Sequence, residues 1–70
     1  MEYKPLKIGQ RIEIPVYYDL WMRGARFGEI TQYRKAKEGR SAHYLVKIDH
    51  PQVKRRLKLW ALDFDYVKII

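Results

Sequence analysis

The sequence predicts an all-β domain: a small barrel of five short strands, with a long first loop and one 3₁₀ turn before the last strand. Three observations predict it. Apolar and polar residues alternate with a period of two in several short runs. Gly and Pro punctuate those runs. Only one connection, the one after the first strand, is long.

The first strand lies in "RIEIPVYY", where Ile12, Ile14, Val16 and Tyr18 alternate with Arg11, Glu13, Pro15 and Tyr17. Pro15 cannot donate a ladder hydrogen bond, so the strand has an edge or a bulge there. The second strand is "ARFGEITQYR". Ala25 and Phe27 share a face, but the next apolar residue is Ile30, and a bulge near Gly28 repairs the phase. The third strand, "SAHYLVKID", sets Ala42, Tyr44, Val46 and Ile48 on one face and His43, Leu45, Lys47 and Asp49 on the other. "DHPQ" is a turn, because a residue before proline is pushed from helical geometry. The fourth strand, "KRRLKLW", points Leu57 and Leu59 inward, and Lys54, Arg56, Lys58 and Trp60 outward. "ALDF" suits a single 3₁₀ turn, and "DYVKII" supplies the last strand. A helix over "PQVKRRLKLWALDF" is the alternative, since short apolar runs do not separate strand from helix. The expected core includes Ile14, Phe27, Ile30, Val46, Leu59 and Val67.

At 70 residues the chain is one domain, residues 1–70, with residues 1–8 as an N-terminal extension. So short a chain buries only about 60% of its unfolded surface. It has no cysteine, so disulfides and thiolate metal sites are excluded. Aromatic packing or self-association must supply the missing stability, and a homodimer through the outward Leu45 or Trp60 would serve. The chain is 47% hydrophobic, too apolar for disorder. No run approaches the roughly 18 apolar residues of a membrane span. "MEYKPLKIGQ" lacks the apolar centre of a signal peptide. The expectation is a soluble cytoplasmic domain with no membrane role.

Net charge is +7, from 15 Lys and Arg against 8 Asp and Glu. That field attracts phosphates, anionic lipid or an acidic protein. Catalysis finds no support: the two histidines have no metal-spaced neighbours, and neither a phosphate-cradling glycine loop nor a cysteine nucleophile is present. No cofactor is expected.

The stretches "GQRIEIPVYYDLWMRGARFGEI", "YLVKID" and "LWALDFDYVKII" resemble an SH3-like barrel of Tudor or KOW type over residues 9–70. In such folds a Gly precedes the first strand, and a Trp and a Gly precede the second. A Tyr-x-Val-x-aliphatic run forms the third, and a Leu-containing 3₁₀ turn precedes the last. Some Tudor domains hold methylated Lys or Arg in an aromatic cage. Tyr17, Trp21, Tyr33 and Asp49 have the required types, but a basic surround repels a cationic ligand. Plasmid-type dihydrofolate reductases are also small SH3-like barrels. Their Val-Gln-Ile-Tyr pore strand is echoed only by Leu57, Lys58, Leu59 and Trp60, with Lys in place of the needed Gln.

In an up-and-down meander the first loop, "YDLWMRG", shares an end with the third, "DHPQVKR". Tyr18 and Phe27 read as core. Trp21 has two readings, a lid on one end of the barrel or a face offered to a base. The resulting expectation is a nucleic-acid-binding module, for DNA or RNA, with little sequence preference. Lys47, Lys54, Arg55, Arg56 and Lys58 contact phosphate. Tyr17, Trp21 and Trp60 stack, and Arg23 and Arg26 support the same mouth. The alternative is a protein-interaction module, of phage or plasmid accessory type, docking on an acidic partner. For the basic strip, the competing structural reading is an edge guarded by charge. The loop "RKAKEGR", with four basic residues around Gly39, reads as a mobile hairpin, with a weaker second binding site as the alternative.

Overall fold

The computed structural model describes residues 4–70. Five strands form one antiparallel sheet: β1 (Arg11–Glu13), β2 (Phe27–Arg34), β3 (His43–Ile48), β4 (Leu57–Trp60) and β5 (Lys68–Ile69). A one-turn helix α1 (Asp19–Met22) interrupts the first loop, and a 3₁₀ helix (Ala61–Tyr66) precedes β5. The strand order is β4-β3-β2-β1-β5. Strands β4 and β5 are therefore the two edges. The sheet does not close into the barrel expected from sequence.

The first strand is shorter than its alternation suggests. Its ladder runs one residue past Glu13, where the Ile14 N–H donates to the Arg26 carbonyl oxygen (2.8 Å). Pro15, with no N–H, ends it. The chain then turns, and the Tyr18 N–H donates to the Pro15 carbonyl oxygen (3.1 Å). Val16, expected inside, is 57% exposed. Helix α1 starts at Asp19, whose carboxylate suits a helix start. It is followed by Gly24, whose φ of +89° is the left-handed conformation that stops a helix.

Strand β2 corrects two expectations. Phe27 is 43% exposed rather than core. It opens the strand opposite Glu13 and points outward, whereas Gly28 and Ile30 point in. Ala25 is buried but precedes the strand, so it sets no phase for it. The bulge lies between Ile30 and Gln32, not at Gly28. There the extra residue, Thr31, donates its hydroxyl hydrogen to the Leu45 carbonyl oxygen (3.0 Å). Gly28 serves a different need. A Cβ on it would stand 2.7 Å from both the Lys47 carbonyl oxygen and Val46 Cγ1. Only glycine allows β2 and β3 to cross so closely.

The core packs on one face of the sheet: Ile12, Ile14, Ala25, Ile30, Tyr44, Val46, Ile48, Leu59 and Phe64. Val67 is half-buried. Leu6, from the segment read as an extension, is buried with them. The Tyr44 hydroxyl fixes it, donating to the Leu6 carbonyl oxygen (2.8 Å) and accepting from the Leu6 N–H (3.2 Å). The Tyr44 ring packs on Tyr33 and Phe64, with centroids 5.1 and 4.9 Å away. Arm, aromatic rings and 3₁₀ helix thus help to cover what an open sheet leaves bare. Val46 is fully buried. Val46→Ala is expected to cost about 1–3 kcal/mol by lost transfer energy plus cavity, read as a lower urea midpoint.

Candidate nucleic-acid interface

The first and third loops do meet at one end of the sheet. Leu20, Arg23 and Ala25 face His50, Gln52, Val53, Lys54 and Arg55 across an open cleft of about 460 Å³. That volume falls within the roughly 300–1,000 Å³ of small-ligand sites. Residue-level reasons place these groups. Arg23 caps α1, its N–H donating to the Asp19 and Leu20 carbonyl oxygens. The third loop bends at Pro51, and the Val53 N–H donates to the His50 carbonyl oxygen (3.1 Å). Val53 packs against the core and turns Lys54 and Arg55 toward the cleft. The His50 ring accepts at Nδ1 from the Gln52 N–H (3.2 Å). Among the described residues, no carboxylate lines the cleft.

This geometry gathers three of the ten expected contact residues, Arg23, Lys54 and Arg55, and disperses the others. The ladder of β4 begins only at Leu57, opposite Val46. Lys54 and Arg56 therefore sit in the loop and do not share a strand face with Trp60. Arg56 is exposed beside the cleft without lining it. Lys47 is exposed on the outer face, with Glu29 as its cross-strand neighbour. Lys58 and Trp60 lie toward the far end of β4, where Trp60 pairs with His43. Leu45 and Trp60, expected at a self-association surface, are each half-buried within the single chain.

Trp21 is half-buried against the core. The Arg26 guanidinium carbon stands 3.9 Å from its ring centroid, and Arg26 Nε donates to the Trp21 carbonyl oxygen (3.2 Å). This cation–π stack covers one face of the indole, and the ring also packs against the core. The lid reading of Trp21 fits these contacts, and Arg26 braces the lid. Tyr17 lies apart, at a mainly apolar groove lined by Glu13, Ile14, Pro15, Val16, Tyr66 and Lys68. Its hydroxyl donates to Asp63, as does that of Tyr18. Asp49 instead pairs with Arg11, and Tyr33 lies against Tyr44 with the Lys4 ammonium 5.4 Å over its ring. The four residue types of an aromatic cage are thus present but not assembled.

The shared Asp63 has a pH consequence. Partial burial, then the hydrogen bond and charge of Asp63, with Tyr66 adding, push the Tyr17 hydroxyl up to about 12. Burial and Asp63 raise that of Tyr18 as well, against a smaller opposing bond to the Trp60 backbone. Unfolded tyrosines ionise near 10. A raised folded value contributes stability that is fully present below about pH 10 and is lost as pH climbs through the folded value. Urea midpoints are expected to fall steeply between pH 10 and 12. Asp63→Asn should flatten that fall, and an equal slope in both proteins would discount the shared bond.

Three residues escape local pattern. His50 and Gln52 line the cleft, although the turn at Pro51 could have indicated them. His43, placed on the outward face by alternation, is only 3% exposed. Trp60 covers it, with ring centroids 4.8 Å apart. Compared with protein-family models, curated proteins and solved structures, the chain matches none.

Proposed function

We propose that this chain is an SH3-like module, with its sheet left open, that binds nucleic acid with little sequence preference. The observation that carries this reading is the cleft between the first and third loops. Arg23, Lys54 and Arg55 line it, with His50 beside them and no carboxylate among the described residues. A net charge of +7 concentrates the same sign of field over the whole molecule. Cations clustered in this way hold phosphate oxygens through charge-assisted hydrogen bonds. Cations that bind phosphate position a strand without reading its bases, which accounts for the low sequence preference. The strand order and the 3₁₀ helix before β5 support the SH3-like arrangement.

The second reading is docking on an acidic protein, and the apolar groove of Pro15, Val16, Tyr17 and Tyr66 favours it as a separate contact surface. Titration with twelve-nucleotide oligothymidylate and with polyglutamate, at several salt concentrations, separates the two. Oligothymidylate should bind with affinity falling steeply in salt, through counterion release. Lys54→Ala and Arg55→Ala should each weaken it and reduce the salt slope by about 0.7, the single-strand value per lost phosphate contact. Arg56→Ala should do less, because it stands outside the cleft. If the Lys54→Ala/Arg55→Ala protein binds as well as wild type, the cleft is not the site. If polyglutamate binds more tightly than the oligonucleotide, the acidic-protein reading replaces this one.

A further inference from the structure

The outer face of the sheet carries a second basic group at the end opposite the cleft. Strand register sets Arg34, His43 and Trp60 in one row across β2, β3 and β4. Lys58, two residues before Trp60, shares that face, with its ammonium 5.8 Å from the Trp60 ring centroid. The second hairpin brings Arg40 to the same end. Its turn is closed by the Lys37 N–H donating to the Arg40 carbonyl oxygen (2.9 Å) and the Arg40 N–H donating to that of Lys37 (2.8 Å). The Arg40 guanidinium donates to the Lys35 carbonyl oxygen (3.1 Å), while its Nε is buried with no hydrogen-bond partner among the described residues.

Three cations converge here on one buried ring. The His43 imidazole is held below its usual range, first by burial and then by the nearby charges of Arg40, Lys58 and Arg34, while a bond to the Ser41 carbonyl oxygen opposes the shift. The ion pairs formed among the described residues, Arg11 with Asp49 and Lys68 with Glu13, use none of these cations. Glu38, in the hairpin turn, is the sole carboxylate between β2 and β3. A buried guanidinium N–H without an acceptor is unfavourable until an acceptor arrives. A phosphate brings several acceptor oxygens and the opposite charge. Trp60 is held by His43 at a 47° tilt and remains half-exposed.

We propose that this row is a second nucleotide subsite, in which Arg34, Arg40 and Lys58 hold a backbone phosphate and Trp60 stacks a base. It rests on the nucleic-acid reading of the cleft and extends it. One single strand would enter at Lys54 and Arg55 and follow the open edge of β4 to Trp60. Residues 57–60 span about 10 Å at strand spacing. Phosphate contacts at both ends, with a stacked base at one, suit a single strand better than a rigid duplex.

The test compares oligothymidylates of four and twelve nucleotides on the whole chain. Arg34→Ala/Lys58→Ala removes two exposed cations and should leave the circular dichroism spectrum unchanged. It should weaken the twelve-mer about tenfold or more, lower the salt slope by about 0.7 per lost phosphate contact, and affect the four-mer less. In a Trp21→Phe background the remaining tryptophan emission belongs to Trp60, and the twelve-mer should quench it. The inference is overturned if the twelve-mer binds and cleft variants weaken it, yet Arg34→Ala/Lys58→Ala binds like wild type. Should Trp21→Phe fail to fold, that comparison of variants still decides. If neither oligonucleotide binds wild type, the cleft reading falls and takes this subsite with it.

Discussion

Gly28→Val is expected to abolish folding at 37 °C, and Gly28→Ala to lower stability by about 1–3 kcal/mol or more. A Cβ at this position would lie far inside van der Waals contact, 2.7 Å from the Lys47 carbonyl oxygen and 2.7 Å from Val46 Cγ1, with Ile48 Cδ1 at 3.2 Å. A side chain could swing aside, but the carbonyl belongs to the ladder of β3. Relief requires parting β2 from β3, the longest pairing in the sheet. Overpacking of this kind typically costs about 1–3 kcal/mol per insertion and sometimes more. At roughly 0.05–0.15 kcal/mol per residue, so short a domain is stable by only about 4–10 kcal/mol. Phe27→Ala, one residue earlier on the exposed face, is the control and should change stability by less than about 1 kcal/mol. Urea denaturation of the three variants measures this. A Phe27→Ala protein less stable than Gly28→Ala would mean that β2 presents its other face to the core.

Tyr44→Phe is expected to cost about 1–3 kcal/mol although it removes a single oxygen. That oxygen both donates to and accepts from the backbone of Leu6. Its loss strands a buried N–H and a buried carbonyl, and each unmet group is unfavourable by about 1–3 kcal/mol. The loss is capped because the arm can peel away and rehydrate, giving up the burial of Leu6, which is worth about 1.5–3 kcal/mol. Urea midpoints measure the cost. Trypsin reads the mechanism, since a released arm exposes the bond after Lys7. An unchanged midpoint together with an unchanged cleavage rate would show that Leu6 is held by its side chain alone.

Much of this architecture was legible in the sequence. The alternation in "YLVKI" placed Tyr44, Val46 and Ile48 inside, and their burial agrees. The short apolar run after Trp60 marked the 3₁₀ helix, which runs two residues further than expected. The meander also foretold that the first and third loops would share an end. Failures came where a residue's environment depends on a distant segment. Phase with Ala25 predicts Phe27 in the core, yet Ala25 lies before the strand and sets no phase for it. Leu6 looked like part of an extension, because its partner, Tyr44, lies 38 positions away. "KRRLKLW" alternates over its full length, but a strand needs a ladder partner and β3 supplies one only from Leu57 onward. His43 sat correctly on the outer face. No local pattern could show that Trp60 would cover it. The Trp21–Arg26 stack was equally hidden, because five residues of loop can fold in many ways.

The neighbour that β5 chooses has a consequence for the newborn chain. Ile12 pairs with Ile69, and the Ile70 N–H donates to the Arg11 carbonyl oxygen (3.1 Å). The first strand therefore waits for a partner 57 residues further along the chain, counted from Ile12 to Ile69. Until residues 68–70 leave the ribosome, β1 presents a bare row of backbone donors and acceptors, which invites pairing with another chain. Bringing such distant segments together also costs loop-closure entropy, which rises with the logarithm of the intervening length. Two residues of β5 thus act as a latch. A chain stalled just short of them would be a four-stranded meander with a sticky edge, and crowded polysomes are where it would aggregate first.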